Sequence, residues 1–240
     1  MKMKNKEEII KRAEIVLCVS DRCYLERSSK EHSFKERCEQ RLVIADWLEA
    51  NGLYEYMENT DKLLFEKKVG NIFDRNIFNK NEFQYEALEP LLWSLGLIPR
   101  MTSYSQYSLT DFHVMMCTNV PNTIDEMMKK TVMKSEEDIE FRRKIAMLWH
   151  WRAIEGTNQI FKHESIGDIL LQIFGDEYKK AINYIMKNQT NKQDFCFHDK
   201  PIYKFDDFFI RHLYKRTLWR YHAFQWIVSC ENWYDVSTDT

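Results

Sequence analysis

Apolar residues recur along this chain at helical spacing and seldom alternate as a strand requires. Ile9, Ile10, Ala13, Val16 and Leu17 predict a first helix continuing to Leu25. Phe34, Cys38, Leu42, Ala45 and Leu48 predict a second, with Gly52 as its stop. Thr60 is placed to cap a short helix through Leu63 and Leu64 to Val69, ended by Gly70, and residues 71–80 read as a loop. The stretch Glu82 to Leu95 is apolar on most sides and is closed by Gly96 and Pro99. Pro90 within it lacks an N–H, and its ring crowds the carbonyl of Glu86, which predicts a kink or a fresh helix start. Residues 100–122 carry weak signals. They read as mostly loop with one short helix, and they mark a candidate seam between two lobes.

The strongest helix signal follows. Ser135-Glu136-Glu137-Asp138 has the form of a capping box with Asp in place of Glu, and the helix behind it is predicted to reach about Ile154. One face carries Phe141, Ile145, Leu148 and Trp149, and a second carries Met147, Trp151 and Ile154. A helix apolar on two faces belongs in the interior. Ser165 is placed to cap a helix from Ile166 to Phe174, stopped by Gly175, and Tyr178 to Met186 continue as another. Asn188 to Asp194 read as a polar loop. Phe195-Cys196-Phe197 and Ile202-Tyr203-Lys204-Phe205 flank His198-Asp199-Lys200-Pro201, which predicts a small hairpin. Asp206 or Asp207 then caps a last helix to about Val228. The fold class is therefore all-α: an irregular helical bundle with at most one small β-hairpin. Residues 1–240 read as a single domain centred on the helices at 82–95, 136–154 and 207–228.

Three charges interrupt these apolar stripes. Arg152 falls in line with Phe141, Ile145, Leu148 and Trp149; Arg220 with Leu213, Phe224 and Ile227; Glu86 with Phe83, Pro90 and Trp93. A charge on a core-facing stripe is unfavourable unless it is paired, so these groups are predicted to meet in the interior. Two readings stay open. One is a structural ion cluster that fixes how three helices meet. The other is an anion pocket, in which two guanidinium forks grip a carboxylate or phosphate while Glu86 orients one of them. His150 and His222 flank the arginines in sequence and complete the candidate ligand-binding set of Glu86, Arg152, Arg220, His150 and His222. An imidazole near two cations would have a lowered pKa and could act as a base near neutral pH. His150, however, shares its helix face with Arg143 and Ala146 rather than with Arg152. A tail carrying Trp233 is predicted to dock on the body, with Asp235 or Asp239 available to Arg152 or Arg220; the alternative is a solvated acidic end.

Composition supports this picture. The hydrophobic fraction is 44% and the aromatic fraction 14%, ample for a core. Gly (6) and Pro (4) are too scarce for a sandwich or barrel built on tight turns. With 35 basic and 37 acidic residues the net charge is −2, so nucleic acid is not an expected partner. The basic start Met1-Lys2-Met3-Lys4 runs into acidic helical sequence, which reads as neither signal peptide nor membrane span. The six cysteines form no C-x-x-C pair, as expected for reduced thiols in a cytoplasmic protein. His198-Asp199 and Asp206-Asp207 form the best local metal group, but adjacent turn residues rarely converge on one ion, so neither metal nor cofactor is implied. The chain carries no Gly-rich phosphate loop, no G-x-S-x-G and no H-E-x-x-H.

Three ordered blocks carry a resemblance. They are Phe83 to Leu97, Ile145 to Ala153, and Ala223-Phe224-Gln225-Trp226 followed by Trp233 to Thr240. Together they resemble the bacterial domain-of-unknown-function family 4272, over roughly Trp47 to the C-terminus. The resemblance implies a mainly helical fold and no particular activity. That family tends to place Glu just before the arginine matching Arg220, where this chain has Trp219. Two functional classes remain: a non-enzymatic cytoplasmic binding or protein-interaction protein, and an enzyme or small-molecule binder using the Arg/Glu/His centre on an anionic ligand. The partner is accordingly a protein or an anionic small molecule.

Overall fold

The computed structural model describes residues 3–70, 81–108, 110–116, 123–156, 165–191 and 194–239. The ten α-helices among them are α1 (Lys6–Arg27), α2 (Phe34–Ala50), α3 (Asn59–Glu66), α4 (Leu88–Ser94), α5 (Phe112–Met115), α6 (Thr123–Lys130), α7 (Glu136–Glu155), α8 (Ile166–Phe174), α9 (Lys179–Asn188) and α10 (Asp207–Val228). One two-stranded antiparallel sheet, β1 (Cys196–Phe197) and β2 (Lys200–Pro201), completes an all-α fold with a small hairpin. No helix of the described residues is long and apolar enough to cross a membrane. The loop read at 71–80 lies outside the described residues, as do residues 109 and 117–122 of the candidate seam.

α7 and α10 pack most extensively against each other, α4 packs on α10, and α1 packs on α4. α1 starts on a reciprocal cap: Glu8 N–H donates to Asn5 Oδ1 (2.9 Å), and Asn5 N–H donates to the Glu8 carboxylate (2.8 Å). Its middle turns are buried on every side. Ile9, Ile10, Ala13, Val16 and Leu17 join the main core, while Ile15, Cys18, Val19 and Cys23 face a second cluster with Leu48, Leu53 and Phe65. α1 is thus the wall between two apolar clusters.

Glu14 sits in this wall, fully buried, and neither carboxylate oxygen has a hydrogen-bond partner. Burial alone pushes its pKa up to about 8. A carboxyl that stays protonated in the folded chain but ionises in the unfolded one stabilises the fold at low pH. That contribution is lost as pH rises from the ordinary carboxylate value of 4.5 through about 8. Between pH 5.5 and 7, unfolding free energy is expected to fall with a slope approaching about 1.4 kcal/mol per pH unit, and Glu14→Met is expected to flatten it. Urea melts of both proteins across that range check this. An equally steep slope in the variant would place its origin elsewhere.

α2 departs from expectation. The predicted stripe through Phe34 and Leu42 faces solvent, together with Val43. The inward face is instead Arg37, Arg41, Ile44, Ala45 and Leu48, an equally good helical stripe. The two arginines lie along it because their heads reach main-chain carbonyls at neighbouring helix ends: Arg37 donates to Leu25 O (2.9 Å) and Arg41 to Phe65 O.

At Pro90 the chain does make a fresh helix start. Gln84–Ala87 form a 3₁₀ turn and α4 begins at Leu88, so Pro90 occupies the first turn, where a backbone N–H has no intrahelical acceptor. Gly96 follows α4 at φ +73°, and a Cβ there would collide with the Val132 carbonyl. Gly96→Ala is therefore expected to cost at least about 1–3 kcal/mol, read as a lowered denaturation midpoint at unchanged m.

Elsewhere the chain adjusts smaller expectations. α6 was not predicted, because Ile124, Met127 and Met128 are too few for a clear stripe. At the start of α7, Asp138 N–H donates to Ser135 Oγ (3.1 Å), but the shorter Asp side chain takes the Ser135 hydroxyl (2.7 Å) instead of closing a full box on the main chain. Ser165 occupies the cap position of α8 without a side-chain bond, and Ile154, on the second apolar face of α7, is exposed. The hairpin is tighter than predicted. His198 and Asp199, both at positive φ, turn the chain in two residues; one further bond, from Ile202 N–H to Phe195 O (2.9 Å), follows Pro201; and Ile202–Lys204 become a 3₁₀ turn.

The tail does dock. Trp233 is fully buried, stacked on Trp219 (centroids 6.1 Å, 15°) and set edge-on to Trp226 and His222. Glu58 accepts the main-chain N–H groups of Trp233 and Tyr234. The tail acids play no part: Asp235 accepts from Asn232 (2.9 Å) and Asp239 from Ser237 (3.1 Å), so neither engages Arg152 or Arg220.

Candidate functional site

The side chains of Glu86, Arg152 and Arg220 are all fully buried, as their apolar alignment requires. Two of the three meet. Arg220 Nε and Nη2 approach Glu86 Oε2 at 2.9 and 2.7 Å, and Nη2 lies 3.3 Å from Glu89 Oε2. The remaining donors of Arg220 go to the carbonyls of Thr102 (2.9 Å), Ser103 (3.1 Å) and Gln106 (3.1 Å). Glu89 in turn accepts Thr102 N–H (3.1 Å) and the Thr102 hydroxyl. One guanidinium from α10 therefore ties the start of α4 to the segment 102–106.

Arg152 does not join this group. It forms a bidentate pair with Asp194, with Nη2 2.7 Å from Oδ2, and it donates to Gly156 O (2.8 Å) at the end of α7. Asp194 also accepts the main-chain N–H groups of Phe195 (2.8 Å) and Tyr203 (3.0 Å). This second pair pins the hairpin to α7. Each arginine pairs with acids of a different segment, Arg220 with Glu86 and Glu89 and Arg152 with Asp194, and the predicted single centre is two separate ones. Asp194 was read as part of a polar loop, and its pairing across 42 residues leaves no local trace in sequence.

The histidines are elsewhere again. His150 is buried among Tyr214, Thr217 and Tyr221 of α10, with Nδ1 3.4 Å from Thr217 Oγ1. Burial lowers its pKa to about 4, so it is neutral at pH 7. His222 lies against Trp219 and Trp233. The five predicted residues thus occupy four places. Burial pushes the Cys18 thiol well above its ordinary range, Cys23 to about 12 and Cys196 to about 11, so these three are poor nucleophiles. Among the described residues no three or more His, Cys, Asp or Glu gather as a metal site.

Arg216, which sequence reasoning passed over, links the Glu86 network to the surface. Phe208, His212, Arg216 and Arg220 recur every four residues along one face of α10. Exposure falls along this stripe from 65% at Phe208 to 3% at Arg216 and 0% at Arg220. Arg216 Nε lies 3.4 Å from Glu86 Oε1, and Nη1 donates to Tyr104 O (3.1 Å). Its guanidinium is stacked on the Tyr107 ring at 3.9 Å. Above it a cavity of about 470 Å³ opens between α10, the segment Ser105–Tyr107 and Phe197 of β1. The spacing of four from Arg220 was the sequence signal for Arg216; the cavity itself had none.

The family model for a domain of unknown function (DUF4272) matches residues 1–168. No curated protein matches the chain, and no solved structure does. Two of the three resemblance blocks fall inside the matched region, while the third, with α10 and the tail, lies beyond it. The chain belongs to the DUF4272 family.

Proposed function

We propose that this member of the DUF4272 family is a non-enzymatic binding protein of the cytoplasm, which takes a small molecule into the cleft above Arg216. One observation carries the reading. Arg152 and Arg220 have no exposed side-chain surface and are each saturated by carboxylates and carbonyls, whereas Arg216 stands at the floor of an open, aromatic-lined cavity. In this reading Glu86, Arg152 and Arg220 are struts, and His150 and His222 are core residues. A catalyst would need an acid, base or nucleophile at the open site with matched geometry. The cleft does hold an imidazole, His212, whose Nδ1 is bonded to the Tyr107 hydroxyl, which suits it to fixing the wall. The five described cysteines are free thiols, which supports the cytoplasm.

A second reading rests on α2. Phe34, Leu42 and Val43 expose apolar surface on one helix, which favours a protein partner there.

The test is a thermal-shift panel of carboxylates, phosphates and nucleotides, with each stabilising compound recovered and weighed by mass spectrometry. A true ligand at about 100 times its Kd adds about 2.7 kcal/mol and is expected back unchanged. Chemical conversion of the compound would establish the enzyme reading, and no stabilisation by any compound would remove the cleft in favour of α2.

A further inference from the structure

Resting on that reading, we propose that the cleft binds a flat, ring-bodied monoanion whose carboxylate is anchored by Arg216 and whose ring lies among Phe197, Phe208 and Phe209. The walls set the body of the ligand. Phe197 stacks on Phe209 (5.5 Å, 30°), and Phe208 packs against His212 (4.4 Å) at the lip. Ring faces and edges arranged this way favour offset or edge-on contact with another flat ring over a branched aliphatic chain. The volume of about 470 Å³ is that of a small-molecule site rather than a peptide groove.

Charge sets the other end. Among the described residues Arg216 donates a single hydrogen bond, from Nη1; its Nε is turned to the buried Glu86 carboxylate (3.4 Å), and Nη2 donates none. Tyr107 holds the guanidinium plane from one face, and the Tyr107 hydroxyl is itself fixed by His212 Nδ1 at 2.5 Å. An oriented guanidinium with Nη2 left over is suited to a carboxylate. The surroundings add positive potential. After burial, Lys215, Arg216 and Arg211 lower the pKa of His212, opposed by Glu82. With Glu86 beside Arg216, three cations stand against two acids at this wall, an excess of positive charge that favours an anion over a cationic ligand.

The probes are 1-naphthoate, its neutral analogue 1-naphthalenemethanol, and inorganic phosphate, titrated into the full chain by calorimetry and two-dimensional NMR. Naphthoate is expected to bind about tenfold or more tighter than the alcohol, and phosphate to bind least. Phe208→Ala, at an exposed lip position, is expected to keep the fold and weaken naphthoate binding several-fold. Arg216→Gln is expected to abolish the preference for the acid over the alcohol. If that variant fails to fold, contacts between the naphthoate ring and Phe208 and Phe209, seen as intermolecular NOEs in the parent protein, decide instead. Equal binding of acid and alcohol, or NOEs to other residues, overturns the assignment. Should other carboxylates stabilise the protein to the same degree in parent, Phe208→Ala and folded Arg216→Gln alike, the binding reading stands and this site falls.

Discussion

Arg220→Met is expected to destabilise the protein by roughly 3–5 kcal/mol, because it leaves Glu86 and Glu89 buried without their shared cation. Arg216 replaces it only in part: it keeps a longer ion pair with Glu86, at 3.4 Å and without a hydrogen bond, and has none with Glu89. The three carbonyls of the 102–106 segment lose their donor at the same time. Two measurements separate these effects. Denaturant unfolding gives the global loss, and amide hydrogen exchange is expected to report early opening of residues 102–107, the wall of the cleft. The double variant Arg220→Met with Glu86→Leu is expected to recover part of the loss, since it removes a buried charge along with its partner. A cost below about 1 kcal/mol for Arg220→Met would mean that this pair is no strut.

Trp233→Ala is the second large effect, expected at roughly 3–5 kcal/mol, since a fully buried indole is replaced by a cavity. The ring touches Trp219, Trp226 and His222 from α10, and the Arg12 guanidinium lies 5.3 Å from its centroid. Arg12 is itself held by Asp61 (2.9 Å) and Glu58 (3.2 Å), and Glu58 caps both α3 and the tail main chain. One side chain thus closes α1, α3 and α10 together. Trp233→Phe is expected to lose less than half as much, because the indole N–H has no acceptor to lose and only part of the ring volume disappears. Equal losses for Ala and Phe, by chemical denaturation, would show that the N–H rather than the volume matters.

The candidate site was half legible in the sequence. Arg220 and Glu86 were marked by a physical contradiction, a charge in line with apolar side chains, and both are buried and paired with each other. Arg152 carried the same mark and is equally buried, but its acid is Asp194. A stripe reveals that a charge needs a partner and says nothing of which one. Glu89 and Arg216 were overlooked because each sits one turn or less from a residue already singled out and reads as ordinary helix charge.

What the sequence determined by itself is local. Helical periodicity, the Asn5 cap, the positive φ of Gly96 beyond α4 and the fresh start around Pro90 all follow from interactions within a few residues. Tertiary structure decided everything that depends on which face meets which. It chose the arginine-bearing side of α2 over Phe34 and Leu42, buried α1 between two clusters with Glu14 inside, and sent Arg152 to the hairpin. It also left Arg216 under an open aromatic cleft. The physical reason is that burial is a property of pairs of surfaces. A single stripe states a preference, and packing against the other elements settles which preferences are met.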